Sequence, residues 1–261
     1  MAWYEGTLTQ AAGDLIAILD AKLPLNGYWS IFDASAGVNC KVYRNYKSAD
    51  YNDYYVKVDD NYANYAIVEL WEGWNGVGHA GVGNSLATIG GLAMRINKKN
   101  GGYAISVLDN RFVYVDTYDY IGTYIGQLNR FDATKNMPIY IGELTGAQKY
   151  NVLGAYNFGS SNGGWACLFD EGGTSRVLNP YGYSSAYLYM KTISGQFVIL
   201  ETLVYNNTTY LLLGQLEGVT THGTGPSSFL SNGDVVTKSG VDWLVCGGGY
   251  SSKMWSFIRM S

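Results

Sequence analysis

Histidine and proline are scarce in this 261-residue chain, 2 and 4 residues respectively, and only 15% of its residues are charged. Each shortage excludes something. His79 and His222 both sit in Gly-rich segments, and neither is spaced to a serine or to Cys167 as a nucleophilic site asks. The cysteines Cys40, Cys167 and Cys246 are odd in number and far apart, which predicts free, buried thiols rather than a disulfide framework. Without a C-x-x-C or H-x-x-x-H pair, no metal and no cofactor is expected. The formal net charge of −4 leaves no basic surplus for nucleic acid. No apolar run reaches the roughly 18 residues of a membrane helix, and the start does not resemble a secretion leader. The expectation is a protein made in a reducing cytoplasm, with no membrane insertion, in which the sequon at Asn206-Asn207-Thr208 carries no glycan.

What the chain has is tyrosine, 24 residues, set in alternating aromatic and polar runs such as Asp53-Tyr54-Tyr55-Val56-Lys57-Val58. Period two suits a pleated, half-buried surface, because successive side chains point to opposite faces. Glycine, 34 residues, clusters between these runs and reads as turn punctuation. The letters of G-x-G-x-x-G occur at Gly76 to Gly81, but more glycine follows where a phosphate cradle needs a helix.

The fold class is therefore mainly β: antiparallel sheets or a sandwich, with one N-terminal amphipathic helix and room for two β subdomains. Leu8, Ala11, Ala12, Leu15, Ile16, Leu19 and Leu23 recur at helical spacing, with Thr7 or Thr9 as cap and Pro24 and Asn26-Gly27 as stop. Strands are expected over Cys40 to Tyr46, Asp53 to Val58, Tyr65 to Trp71, Leu92 to Asn97, Tyr103 to Leu108 and Phe112 to Thr117. Hairpin turns are expected at Asn97 to Gly102 and at Asp109-Asn110. Strand character lapses between about Asp132 and Gly154 apart from Pro138 to Gly142, then resumes over Gly164 to Phe169, Ala186 to Ile193, Phe197 to Tyr205 and Thr209 to Gln215, with Asn206-Asn207 as a hairpin turn. It ends on Asp234 to Lys238, Asp242 to Cys246 and Lys253 to Met260. This divides the chain into a helix plus β domain (1–132), a loop-rich connection (133–154) and a second β subdomain (155–261).

Chemistry is harder to find. A glycosidase needs two opposed carboxylates, and Glu69, Glu72, Asp116 and Asp119 lie among aromatics. Alternation places Glu69 on a polar strand face, and Asp116 reads as a strand-end charge. The remaining candidates are aromatic: Trp71, Trp74, Tyr181 and Tyr183, suited to a protein interface or to stacking on sugar rings. The richest stretch is Leu70 to Trp74 with the glycine loop through Gly83, expected at the surface.

The order of segments carries a resemblance. The N-terminal helix, Cys40 to Asn45, Asp53 to Val58, Tyr65 to Trp74, Arg111 to Val115, Tyr124 to Gly126 and Arg130 to Asp132 resemble a group of structural proteins of tailed bacteriophages. Leu213 to Val219, Ser231 to Val236 and Trp243 to Val245 look like the small β module that ends such proteins. The resemblance implies a non-enzymatic virion component of the tail, baseplate or neck. Such a protein is present in symmetric copies and contacts itself and other virion proteins. A receptor- or carbohydrate-binding tail protein that meets a host surface glycan is the alternative, and a tail-associated glycan hydrolase the third reading.

Overall fold

The computed structural model describes residues 1–46, 53–86, 88–89, 92–93, 95–130, 139–143, 165–168, 176–180, 200–206, 212–223, 230–246 and 254–261. Strand β1 (Ala2–Leu8) precedes helix α1 (Asp14–Lys22), which runs into a 3-10 turn at Leu23–Asn26. There follow β2 (Trp29–Gly37), β3 (Cys40–Asn45), β4 (Tyr54–Asp59), β5 (Tyr65–Asn75) and β6 (Ala80–Leu86). The short β7 (Thr88–Ile89) and β8 (Leu92–Ala93) pair with each other, and β9 (Arg95–Asn97) returns to β5. Next come β10 (Gly101–Leu108), β11 (Arg111–Asp116), β12 (Ile121–Gln127), β13 (Asn129–Arg130) and β14 (Ile139–Glu143). Beyond them lie β15 (Trp165–Leu168), β16 (Arg176–Pro180), β17 (Leu200–Asn206), β18 (Leu212–Gly223), β19 (Val235–Lys238), β20 (Val241–Cys246) and β21 (Met254–Arg259).

The protein is mainly β, in three antiparallel sheets with the helix near the N-terminus. The smaller main sheet runs β2-β3-β4-β5-β6, with β9 beside β5. The large one runs β1-β10-β11-β12-β14-β15-β16-β17-β18-β21-β20-β19, with β13 joined to β18. Alternation is clean in β4, where Tyr54, Val56 and Val58 are buried and Tyr55, Lys57 and Asp59 are half-buried. It fails in β11, where all six residues from Arg111 to Asp116 are buried. Both faces of β11 are covered, and one apolar cluster includes Leu15 and Leu19 of the helix, Val56 and Val68 of the smaller sheet, and Val113, Val219 and Ile258 of the large one.

The helix differs from its sequence reading at its start. Residues through Leu8 belong to β1, Ala11 and Ala12 are exposed, and Gly13 (φ +85°) opens a helix whose own side chains supply no cap. Thr9 Oγ1 accepts only from Ala11 N (3.2 Å), in the turn before the helix. The cap comes from the β4–β5 loop: the Asp60 carboxylate accepts from Leu15 N (2.8 Å) and Ile16 N (3.4 Å). A buried carboxylate there satisfies two of the orphan donors and the positive end of the helix dipole. Pro24 and Gly27 do end the run, with Gly27 N donating to Pro24 O at 3.1 Å.

The stretch Asn97 to Gly102 is also not a hairpin, because β9 pairs with β5 and β10 with β1 and β11, so the chain passes there from one sheet to the other. Asp109-Asn110 is a hairpin turn, and the smaller sheet clasps it. Asn26 Nδ2 (2.8 Å) and Trp29 Nε1 (3.2 Å) donate to Leu108 O, Asn45 Nδ2 to Asp109 O (2.7 Å) and Tyr54 OH to Asn110 O (2.9 Å). Trp29 packs edge-on against Tyr54 and Phe112 in the same contact.

Candidate functional site

The sequence-derived patch falls on the long β5–β6 arm, which extends past the end of β4. Trp71 is half-buried, and its ring covers Gly81 so closely that a Cβ there would lie 2.1 Å from it. Its Nε1 donates to Glu69 Oε2 (3.0 Å), whose other oxygen accepts from Lys57 Nζ (3.0 Å). Trp74 is enclosed rather than exposed, at 8% of its surface, and meets Trp71 edge-on at 6.2 Å. Tyr181 and Tyr183 lie outside the described residues.

Trp74 is enclosed because the arm reaches back to β2. Trp74 Nε1 donates to Asp33 Oδ2 at 2.8 Å, and His79 Nδ1, from the β5–β6 turn, donates to the same oxygen at 2.8 Å. Ser35 N (3.0 Å) and Ser35 Oγ (3.2 Å) fill Oδ1. Burial opposes the charge of Asp33, but the hydrogen bonds from His79, Trp74 and Ser35 outweigh it and hold the carboxyl at about 2. His79 adopts φ +50°, an uncommon conformation for a side-chain-bearing residue, and stays 41% exposed. One buried carboxylate therefore pins the arm to β2 and fixes the imidazole at its tip.

Beside this pin the surface is aromatic. The Phe32 ring meets Tyr55 edge-on at 4.9 Å, and the Arg44 guanidinium stands 5.9 Å from the Phe32 ring centre and 5.6 Å from that of Tyr46. A Cβ at Gly76 would lie 3.7 Å from Phe32, so the ring flanks the turn that exposes Val77. Phe32 and Tyr46 remain exposed at 38% and 42%, and Val77 at 94%. The chain brings Phe32 of β2, Arg44 of β3, Tyr55 of β4 and the β5–β6 turn together at one end of the smaller sheet.

The carboxylates considered for catalysis have structural partners. Glu69 holds Lys57 and Trp71, and Asp119 pairs with Lys99. Glu72 lies where a Cβ on Gly83 would fall 2.3 Å from its Oε2. Asp116 does end its strand, β11, but it is fully buried there: Oδ1 accepts from Tyr118 N (2.9 Å), and burial pushes its carboxyl up to about 6. Cys40 and Cys246 are free and buried. Among the described residues no three metal-ligating side chains converge, and no helix is long and apolar enough to cross a membrane.

Sequence reasoning did not reach Asp33, Lys98 or Arg111. Lys98, in an apparent surface turn, is fully buried against Asp60 and donates to Ala11 O (2.8 Å). Arg111 is fully buried at the hairpin after Asn110, its guanidinium 5.5 Å from the Tyr124 ring centre, and burial lowers its pKa. No local pattern announces these three; only the covering layers bury them. Comparison with known proteins finds no protein-family model and no curated protein that matches this chain.

Proposed function

We propose that this chain is a non-enzymatic structural protein of a tailed-bacteriophage virion, a tail, baseplate or neck component that makes symmetric contacts with copies of itself and with neighbouring virion proteins. The observation that carries the reading is the exposed surface of Phe32, Tyr46 and Val77, backed by half-buried Tyr55 and by Arg44, which is paired with Asp53. Aromatic residues and arginine are the side chains enriched where proteins meet, because they offer large contact area with few rotors to freeze. The pin at Asp33 favours the same use, since it holds the β5–β6 arm in one place before any partner arrives. The structural engagement of Glu69 and Asp119 supports a scaffold rather than a hydrolase.

The test is to place Phe32→Ala and Val77→Asp in the phage that carries the chain and to look for the chain in purified virions. Folded variants that fail to enter particles are the expected result. If particles form normally and only adsorption to the host is lost, the surface is a receptor-binding one. Absence of the natural chain from virions overturns the reading.

A further inference from the structure

Past the end of β4 that lies away from Tyr55, three side chains form a layered stack. Tyr62, in the β4–β5 loop, lies nearly parallel to Tyr65 of β5, with ring centres 4.7 Å apart and 16° between the planes. The Arg95 guanidinium stands 4.0 Å from the centre of the Tyr65 ring, where the pairing of β9 with β5 brings it. Tyr62 is nevertheless 39% exposed, and a ring that packs one face on a neighbour yet keeps that much surface presents its other face to water. The loop that carries it is tied down along its length. Asp60 N donates to Asn39 O (2.8 Å), Lys98 N to Asn64 O (2.9 Å), and Asn61 Nδ2 to Val38 O (2.8 Å) and Asp59 Oδ1 (2.7 Å). Amides flank the ring: Asn61 precedes it, Asn64 follows it, and Gln10 reaches in from the turn before α1, its Nε2 donating to Asn64 Oδ1 (2.8 Å). All three are exposed, and each amide offers more donors and acceptors than one such bond uses.

We propose that Tyr62 is the stacking platform of a saccharide-binding site that takes a neutral hexose unit of a larger glycan. A pyranose ring has an apolar C–H face and a rim of hydroxyls. The site answers both, with an aromatic face for the first and the amides of Asn61, Asn64 and Gln10 for the second. A neutral sugar fits best because the charges of the loop are engaged within the protein, Asp60 with Lys98 and the helix, Asp59 with Asn61. Nucleobases also stack on tyrosine, but their phosphates ask for a basic groove, and the chain carries a formal net charge of −4. Tyr65 and the tied loop hold the Tyr62 ring in place before a ligand arrives, so little side-chain freedom is lost on binding. The site stands at the other end of β4 from the aromatic surface around Phe32 and Tyr55, and it does not rest on the virion reading.

Saturation-transfer NMR on the purified full chain tests it, with short oligosaccharides of glucose, galactose, mannose and N-acetylglucosamine as probes and circular dichroism melts as the check on folding. At least one probe is expected to bind and to take up saturation at its ring C–H protons. Tyr62→Ala, at an exposed position, is expected to weaken that binding about tenfold, whereas Tyr62→Phe should keep it, because stacking needs the ring and not its hydroxyl. Asn64→Ala leaves the stack intact and is expected to weaken binding about fivefold through the lost hydrogen bond. If no probe binds, or if one binds the Tyr62→Ala and Asn64→Ala variants as well as the natural chain, the proposal is overturned. It is overturned too if Tyr62→Ala lowers self-association in sedimentation while no probe binds, since the ring is then a protein contact. Sugar binding by a chain that is absent from virions overturns the virion reading and leaves this one standing.

Discussion

The Lys98 ammonium is buried against the Asp60 carboxylate, with neither side chain exposed to solvent, and the same carboxylate caps helix α1. Burial raises the Asp60 pKa, so the lysine and the two helix N–H groups are what keep a charge there. Breaking such a pair from one side leaves an uncompensated ion. Lys98→Met and Asp60→Asn are each expected to destabilise by about 3–5 kcal/mol in denaturant unfolding. The double variant should lose well under the sum, and a purely additive result would refute the coupling.

Leu15 and Leu19 are fully enclosed between the helix and the sheets. Either change to Ala is expected to cost about 2–5 kcal/mol, because the cavity cannot close fully. A cost near zero in urea titration would place the helix away from the core.

Two carboxyls give opposite pH signatures. Asp33 titrates at about 2 in the folded protein against an ordinary 3.8, so it adds stability above pH 4, worth about 2 kcal/mol, that is lost as pH falls through 2. Asp116 titrates at about 6 against the same ordinary value, so the folded state holds its proton longer and stability declines as pH rises from 4 to 6. Asp116→Asn should therefore flatten that decline and raise the melting temperature at pH 7 but not at pH 4. Melts across this range for the natural chain and the variant decide it.

Trp74→Ala removes a buried ring and one of the donors to Asp33, and it is expected to destabilise by about 3–5 kcal/mol. Trp74→Phe keeps most of the volume and loses the N–H, so its smaller cost should come with an upward shift of the Asp33 carboxyl in NMR titration. No shift would mean that His79 and Ser35 hold the charge alone.

Where β-branched and aromatic residues fill a run between turn signals the strands were legible: β3, β4, β10, β11 and β20 lie within a residue or two of their sequence readings. The sequence reading missed β1 and β2. Leu8 is in helical phase with Leu15 only by coincidence, which drew β1 into the helix, and the register shifts in β2 scramble its period, leaving consecutive Ile31 and Phe32 both exposed. For the site, the sequence pointed to the β5–β6 arm but put Trp74 on the wrong side of it. A tryptophan's burial depends on what crosses above it, and Asp33 is 41 residues away. Buried Lys98, Arg111 and Asp116 were illegible for the same reason: a charge in a strand is paired or covered only by elements distant in the chain.

The grip of Asn26, Trp29, Asn45 and Tyr54 on the Leu108–Asn110 turn ties the two main sheets into one cooperative unit. Its partners stand 56 to 82 residues from the turn, so the clasp closes only after a long loop has been ordered. Neither side is then expected to melt first: amide protons of β4 and of β11 should exchange at a common rate, through one shared opening. Folding should be slow for the chain's length, because this knot of carbonyls and side chains is assembled late and all together.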